Sequence, residues 1–135
     1  MNQRNLEKKV LSWFASRHYL SERARPGATV VKGKFISNNW DFFSCFDGIS
    51  VLPQADNNAR VVFWQACSGT TYEAHRRKIE GLFPFTISPV QQIWYFYKRN
   101  AKWHCTVSER GYMGWKPVFT IEPDEFSKIN KMIKS

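Results

Sequence analysis

Three residues of this chain, Glu7, Asp47 and Gln65, place oxygen donors among apolar neighbours, where a core side chain would be the simpler choice. Oxygen ligands of this kind hold hard divalent cations such as Mg2+ or Mn2+, and a cation so held activates water and offsets charge on a phosphodiester under attack. Basic groups that could meet phosphates stand nearby in sequence: Lys32 and Lys34 before the Asp47 segment, and Arg76, Arg77 and Lys78 after Gln65. Thiol chemistry is a weaker option. Cys67 and Cys105 could each be paired with His18, His75 or His104, but His104 and Cys105 are neighbours that would point to opposite faces of a strand. No Cys-x-x-Cys or His-x-x-x-His spacing suggests a zinc centre.

The elements that must position these groups follow from periodicity. Leu6, Val10, Leu11, Trp13 and Phe14 repeat at helical spacing, which predicts a first helix over residues 3–19. At about 100° per residue, Glu7 falls within that apolar arc close to Phe14, so its carboxylate either turns toward the core or lies at the edge of the arc in water, where it favours the helix dipole. A hairpin is predicted from residues 46–52 and 60–67, joined by the turn formers of residues 53–59. Symmetric closure pairs Leu52 with Arg60 and sets Asp47 opposite Gln65, with Cβ atoms about 5 Å apart on one face. Ile49, Val51, Val61, Phe63 and Cys67 share that face, so the polar pair ends an apolar surface. A buried Asp there is costly unless it is paired or bound to metal, and a slip of one residue would send it to the other face.

The remaining chain frames this hairpin. Pro26-Gly27 reads as a loop, residues 29–35 as a strand, and Thr70-x-x-Glu73 as a capping box opening a second helix that Gly81 and Pro84 close. Strands over residues 92–97 and 103–107 flank a turn at 98–101, and Pro123 begins a last helix. The predicted order is α-β-β-β-α-β-β-α, an α/β fold. With 135 residues, 43% of them apolar, and no repeat or linker, residues 1–135 form one domain. The net charge of +9 is uneven: residues 1–35 carry +6, residues 36–70 carry −2 and residues 71–116 carry +5. Basic flanks around an acidic centre suit a polyanion gathered round a cation. The alternative is that the basic balance serves solubility only. An aromatic content of 16% excludes a disordered basic tail, and no apolar run is long enough to span a bilayer. Three widely spaced cysteines argue against a disulfide framework. A soluble, cytoplasmic protein without a membrane partner is expected.

A helix with Glu7, a strand carrying Phe46-Asp47-Gly48-Ile49, a strand ending in Gln65-Ala66-Cys67-Ser68, and then a basic helix resemble the PD-(D/E)XK nuclease superfamily over residues 4–107. Archaeal Holliday-junction resolvases and their viral relatives are the nearest likeness. The resemblance implies a restriction-endonuclease-like αβββαβ core, a mixed sheet flanked by helices, and Mg2+ or Mn2+ at the sheet end for hydrolysis of DNA, with branched DNA and a homodimer implied by the resolvase likeness. Glu7 would be the helix-borne acid, Asp47 the central ligand, and Gln65 would stand in place of the second acid. The pattern's lysine falls at Cys67, and a thiol cannot replace an ammonium; Arg76, Lys78 or Lys34 would have to serve. Two functions follow from this reading: a metal-dependent endonuclease, or a domain that keeps the nuclease fold and binds nucleic acid without cutting it. In the second, Trp94, Tyr95, Phe96, Tyr97 and Trp103 are candidates for stacking on bases, although so aromatic a hairpin equally suits a core face.

Overall fold

The computed structural model describes residues 1–24, 26–31, 34–39, 42–43, 45–54, 59–84 and 89–134, with the side chains of residues 26–31, 34–39 and 133–134 outside the description. Helix α1 spans Gln3–Ser16 and is opened by Asn2, whose side-chain oxygen accepts from the Asn5 N–H. It ends earlier than its periodicity predicts, because His18 takes a left-handed conformation (φ 66°) that lets the Tyr19 N–H reach back to the Phe14 carbonyl. Then come β1 (Leu20–Arg23), β2 (Pro26–Val31), β3 (Lys34–Asn39), β4 (Gly48–Pro53), β5 (Ala59–Ser68), a 3-10 turn at Gly69–Thr71, α2 (Tyr72–Leu82), β6 (Val90–Arg99), β7 (Lys102–Gly111), β8 (Gly114–Ile121) and α3 (Pro123–Lys134).

The fold is α/β. Six strands form one mixed sheet in the order β1-β4-β5-β6-β7-β8, while β2 and β3 pair as a separate antiparallel hairpin. β4 runs antiparallel to both β1 and β5, and α2 carries the chain across so that β6 lies parallel to β5. Setting the β2-β3 hairpin aside, the leading order is α-β-β-β-α-β. Residues 26–31 and 34–39 are therefore paired strands where the sequence predicts one strand after a loop, and β1 and β8 are additional strands. Both extra strands lie at the sheet edges; β1 is short and mostly polar, and β8 is exposed along much of its length and broken by a proline, so the alternation that marks a half-buried strand is weak in them. In β8, Pro117 and Lys116 are exposed, and a shift of register between Val107 and Ser108 interrupts the β7-β8 ladder.

Alternation along β5 sends its side chains to two cores. Val62, Trp64 and Ala66 join Leu6, Val10 and Phe14 of α1, Trp94 and Phe96 of β6, and Phe126 of α3. On the opposite face Cys67 packs with Ile79 of α2, Ile93, Cys45 and Phe46, with Phe63 and Phe83 at the margin. Gly48 pairs with Trp64 across the ladder, and the indole lies so close over it that a Cβ at that position would fall 2.0 Å from the ring. The indole N–H donates to the Ser50 hydroxyl at 3.0 Å, which fixes the ring in this place.

Candidate functional site where strands β4 and β5 separate

The β4-β5 ladder has the register that the turn formers predict, from Pro53↔Ala59 and Leu52↔Arg60 through to Gly48↔Trp64. It stops there. Asp47 is not a ladder partner of Gln65: its N–H donates to the Trp64 carbonyl at 2.9 Å, and its own carbonyl accepts from the Ala24 N–H at 2.8 Å. Backbone bonds from both neighbouring strands thus hold Asp47 at the point where β4 turns away. Ala66, farther along β5, is left without a ladder partner on that side, and side chains supply what the missing strand would have given.

The Asp47 carboxylate Oδ2 accepts from the Ala66 N–H at 2.8 Å. The Ala66 carbonyl accepts from Nε2 of Gln3 at 2.8 Å and from Nε2 of Gln65 at 3.1 Å. Gln3 Nε2 also donates to Asp47 Oδ2, at 3.0 Å, so one amide nitrogen spans the carboxylate and the carbonyl. Gln3 is the first residue of α1, and the helix start therefore points at a negative charge, which its dipole favours. Asp47 is 6% exposed and Gln65 4%. With the Gln65 Nε2 committed to a carbonyl, the orientation of its amide is set, and Oε1 is buried with no hydrogen-bond partner among the described residues.

Glu7 has its ion pair beside this cluster. It turns inward, as its helical angle implies, and its carboxylate faces Arg23 of β1 at 3.8 Å, with its side chain 13% exposed. Arg23 pairs with Gly48 in the ladder, so the ion pair flanks Asp47. The α1 residue that touches Asp47 is Gln3, one helical turn earlier, which sequence reasoning passes over because a polar residue at a helix start normally faces water. Only the α1 approach to the end of β5 reveals it.

Cys67 occupies the position where the resemblance would put a lysine. Burial pushes its thiol up to about 12; a hydrogen bond from Thr71 opposes this and the nearby Asp47 charge adds to it. Burial likewise pushes Cys105 well above the usual thiol range, with Cys67 adding to it. Neither is a nucleophile near neutral pH. His104 is engaged elsewhere, with Nδ1 at 2.7 Å from a Glu122 carboxylate oxygen and its ring stacked on Tyr97, while His18 ends α1.

The basic helix is divided in its duties. Arg76 is tied to Glu73 at 2.6 Å and to Glu80 at 3.1 Å, which withdraws it from phosphate contact, whereas Arg77 and Lys78 are exposed. The capping box at Thr70 and Glu73 does not form: Thr71 is the N-cap, Thr70 bonds Ser68, and Glu73 turns to Arg76. Lys32 lies outside the described residues, and Lys34 lies in β3 with its side chain outside the description. Of the five aromatic residues proposed for stacking, Trp94 and Phe96 are fully buried and Trp103 packs against the larger core. Tyr95 and Tyr97 lie on the α2 face, half-buried, in a row that runs from Tyr72 to His104.

No protein-family model, curated protein or solved structure is significantly similar to the chain. Among the described residues, no three His, Cys, Asp or Glu side chains gather closely enough to hold a metal ion. The oxygens that could serve a cation are instead of mixed type: one carboxylate from Asp47, one amide oxygen from Gln65 and the Ala66 carbonyl. Mg2+ is commonly held by one or two carboxylates, with waters and substrate phosphates completing the shell, so this set fits a weak site that substrate would complete. No helix of the described chain is long and apolar enough to cross a membrane.

Proposed function

We propose that this chain is a metal-dependent DNA endonuclease of the PD-(D/E)XK kind. One observation carries the reading: the unpartnered, buried Gln65 Oε1 belongs to an amide that meets the Asp47 carboxylate network at the Ala66 peptide, where two strands part. An orphaned acceptor in such a place is costly to fold around, and a cation would satisfy it. With the β2-β3 hairpin set aside, the order α1-β1-β4-β5-α2-β6 in a mixed sheet supports this reading, since the resemblance implies an αβββαβ core. Asp47, Gln65 and the Ala66 carbonyl would hold Mg2+ or Mn2+, and the bound cation would supply Lewis acidity and a more acidic water. The chain's own residues bind and orient: Arg77 and Lys78 offer exposed charge to phosphates, and Glu7 holds Arg23 beside Asp47. Cleavage of branched DNA by a homodimer belongs to the same proposal.

A second reading has its own observation. Cys67 stays a neutral thiol where a lysine would serve, and Gln3 bonds two of the oxygens that a cation would take. These favour a domain that holds nucleic acid without cutting it. Labelled duplex, single-stranded and four-way-junction DNA, each incubated with Mg2+, Mn2+ or chelator, separates the two. Cation-dependent cleavage that Asp47→Asn abolishes supports the endonuclease; binding to DNA with no cleavage under any cation supports the second reading.

A further inference from the structure

We infer that Gln3 is a lock on the cation site: its amide nitrogen occupies the two oxygen acceptors that a divalent ion would use, and a cation binds only as that amide swings away. The inference rests on the cation reading of Asp47 and goes beyond it by assigning a residue that controls occupancy. One nitrogen lies 3.0 Å from Asp47 Oδ2 and 2.8 Å from the Ala66 carbonyl oxygen. Mg2+ binds oxygen at about 2.0–2.1 Å along the same lone pairs, so amide and ion compete for them. An N–H donor serves both oxygens as a cation would, while keeping the site neutral in its contacts and the Ala66 peptide satisfied.

The means of opening lie in the placement of Gln3 itself. Gln3 is exposed over much of its surface, sits at the first position of α1, and reaches inward only with its amide end. It can rotate outward without breaking an intrahelical bond, because the helix is capped by Asn2 and not by Gln3. Rotation removes one donor from the Ala66 carbonyl, which keeps the Gln65 amide, and one donor from Asp47 Oδ2, which keeps the Ala66 N–H. Gln65 and Asp47 are held by burial and backbone, so Gln3 is the mobile member of the three. In this arrangement substrate phosphates that add ligands to the ion would help to displace the amide, coupling cation binding to DNA.

The test is direct Mn2+ binding by the full chain, read from loss of the free-ion paramagnetic resonance signal, in the wild type and in Gln3→Ala, Gln3→Glu and Asp47→Asn. Hydrogen bonds to a charged group are strong enough that their removal as competitors should tighten Mn2+ binding by about tenfold in Gln3→Ala. Gln3→Glu, which adds a carboxylate, should tighten it further, and it keeps the test alive should the alanine variant fold poorly. Asp47→Asn should bind no Mn2+. Equal Mn2+ affinity in the wild type and both Gln3 variants overturns the lock while leaving the cation site standing. Absence of binding in all four proteins overturns the site and the lock together.

Discussion

Removing the Asp47 side chain tests the strand junction independently of any catalysis. In Asp47→Ala the Ala66 N–H, inside a residue with no exposed surface, loses the acceptor that it meets at 2.8 Å. An orphaned buried donor costs about 1–3 kcal/mol, and the lost bond from Gln3 brings the total to about 2–4 kcal/mol. For a domain of this size, with about 3–5 °C per kcal/mol, the melting temperature should fall by roughly 6–20 °C. Asp47→Asn keeps an oxygen for both donors but makes both bonds neutral, so a loss of about 1 kcal/mol is expected. From sequence alone the opposite sign is defensible, since Asn relieves the cost of a desolvated carboxylate. The two donors decide it: this carboxylate is buried with partners. Urea melts followed by circular dichroism, without divalent cations, give the values. Coupling is measured by the cycle with Gln3→Ala, where an interaction of about 0.5–3 kcal/mol is expected between residues in one network. An Asp47→Ala protein as stable as the wild type would refute the junction as described.

Three further outcomes are expected. Gly48→Ala places a methyl in the Trp64 indole, so it should destabilise by about 1–3 kcal/mol in the same melts, and an unchanged midpoint would show that the ring has room to move. Charge removal at Arg77 and Lys78 together should weaken DNA binding for all sequences and flatten its salt dependence, while Arg76→Ala should leave both unchanged and cost under about 1 kcal/mol, because Arg76 is spent on Glu73 and Glu80. Finally, the Cys67 thiol is raised from an ordinary 9.0 to about 12 in the fold, so the native state keeps a proton that the unfolded chain releases. Its contribution is full below pH 9 and is lost as pH rises towards 12, and stability should fall by about 1.4 kcal/mol per pH unit in that window. Cys67→Ala, measured against the wild type from pH 8 to 11, should show a shallower decline.

The register of the central hairpin was readable because Pro53 and the turn formers after it are flanked by alternating apolar residues, and alternation admits one pairing that buries a whole face. That reading placed Asp47 and Gln65 at the same end of the sheet. It did not reveal that the ladder ends at Gly48, where the Trp64 ring lies over a glycine, a packing contact with no local signature. Glu7 was legible as an inward-turning acid, but its partner Arg23 lies in an edge strand too short and polar to show alternation. Gln3 was invisible for a related reason: its role exists only once α1 has been laid against the end of β5. The capping box failed because Glu73 has a better partner in Arg76 on its own helix.

The outer strand of the sheet also bears on how copies of this chain can meet. Pro117 has no amide hydrogen to offer, Lys116 sets a charge beside it, and the register with β7 slips between Pro117 and Phe119. A second chain laid alongside β8 would find its hydrogen-bond row broken at the middle and its own backbone groups stripped of water without replacement. Growth of the sheet from molecule to molecule is thereby opposed at this border, and the chain can be concentrated without that border seeding a fibre. Copies that meet along this flank would have to join through side chains, which leaves the β8 backbone free of any role in pairing them.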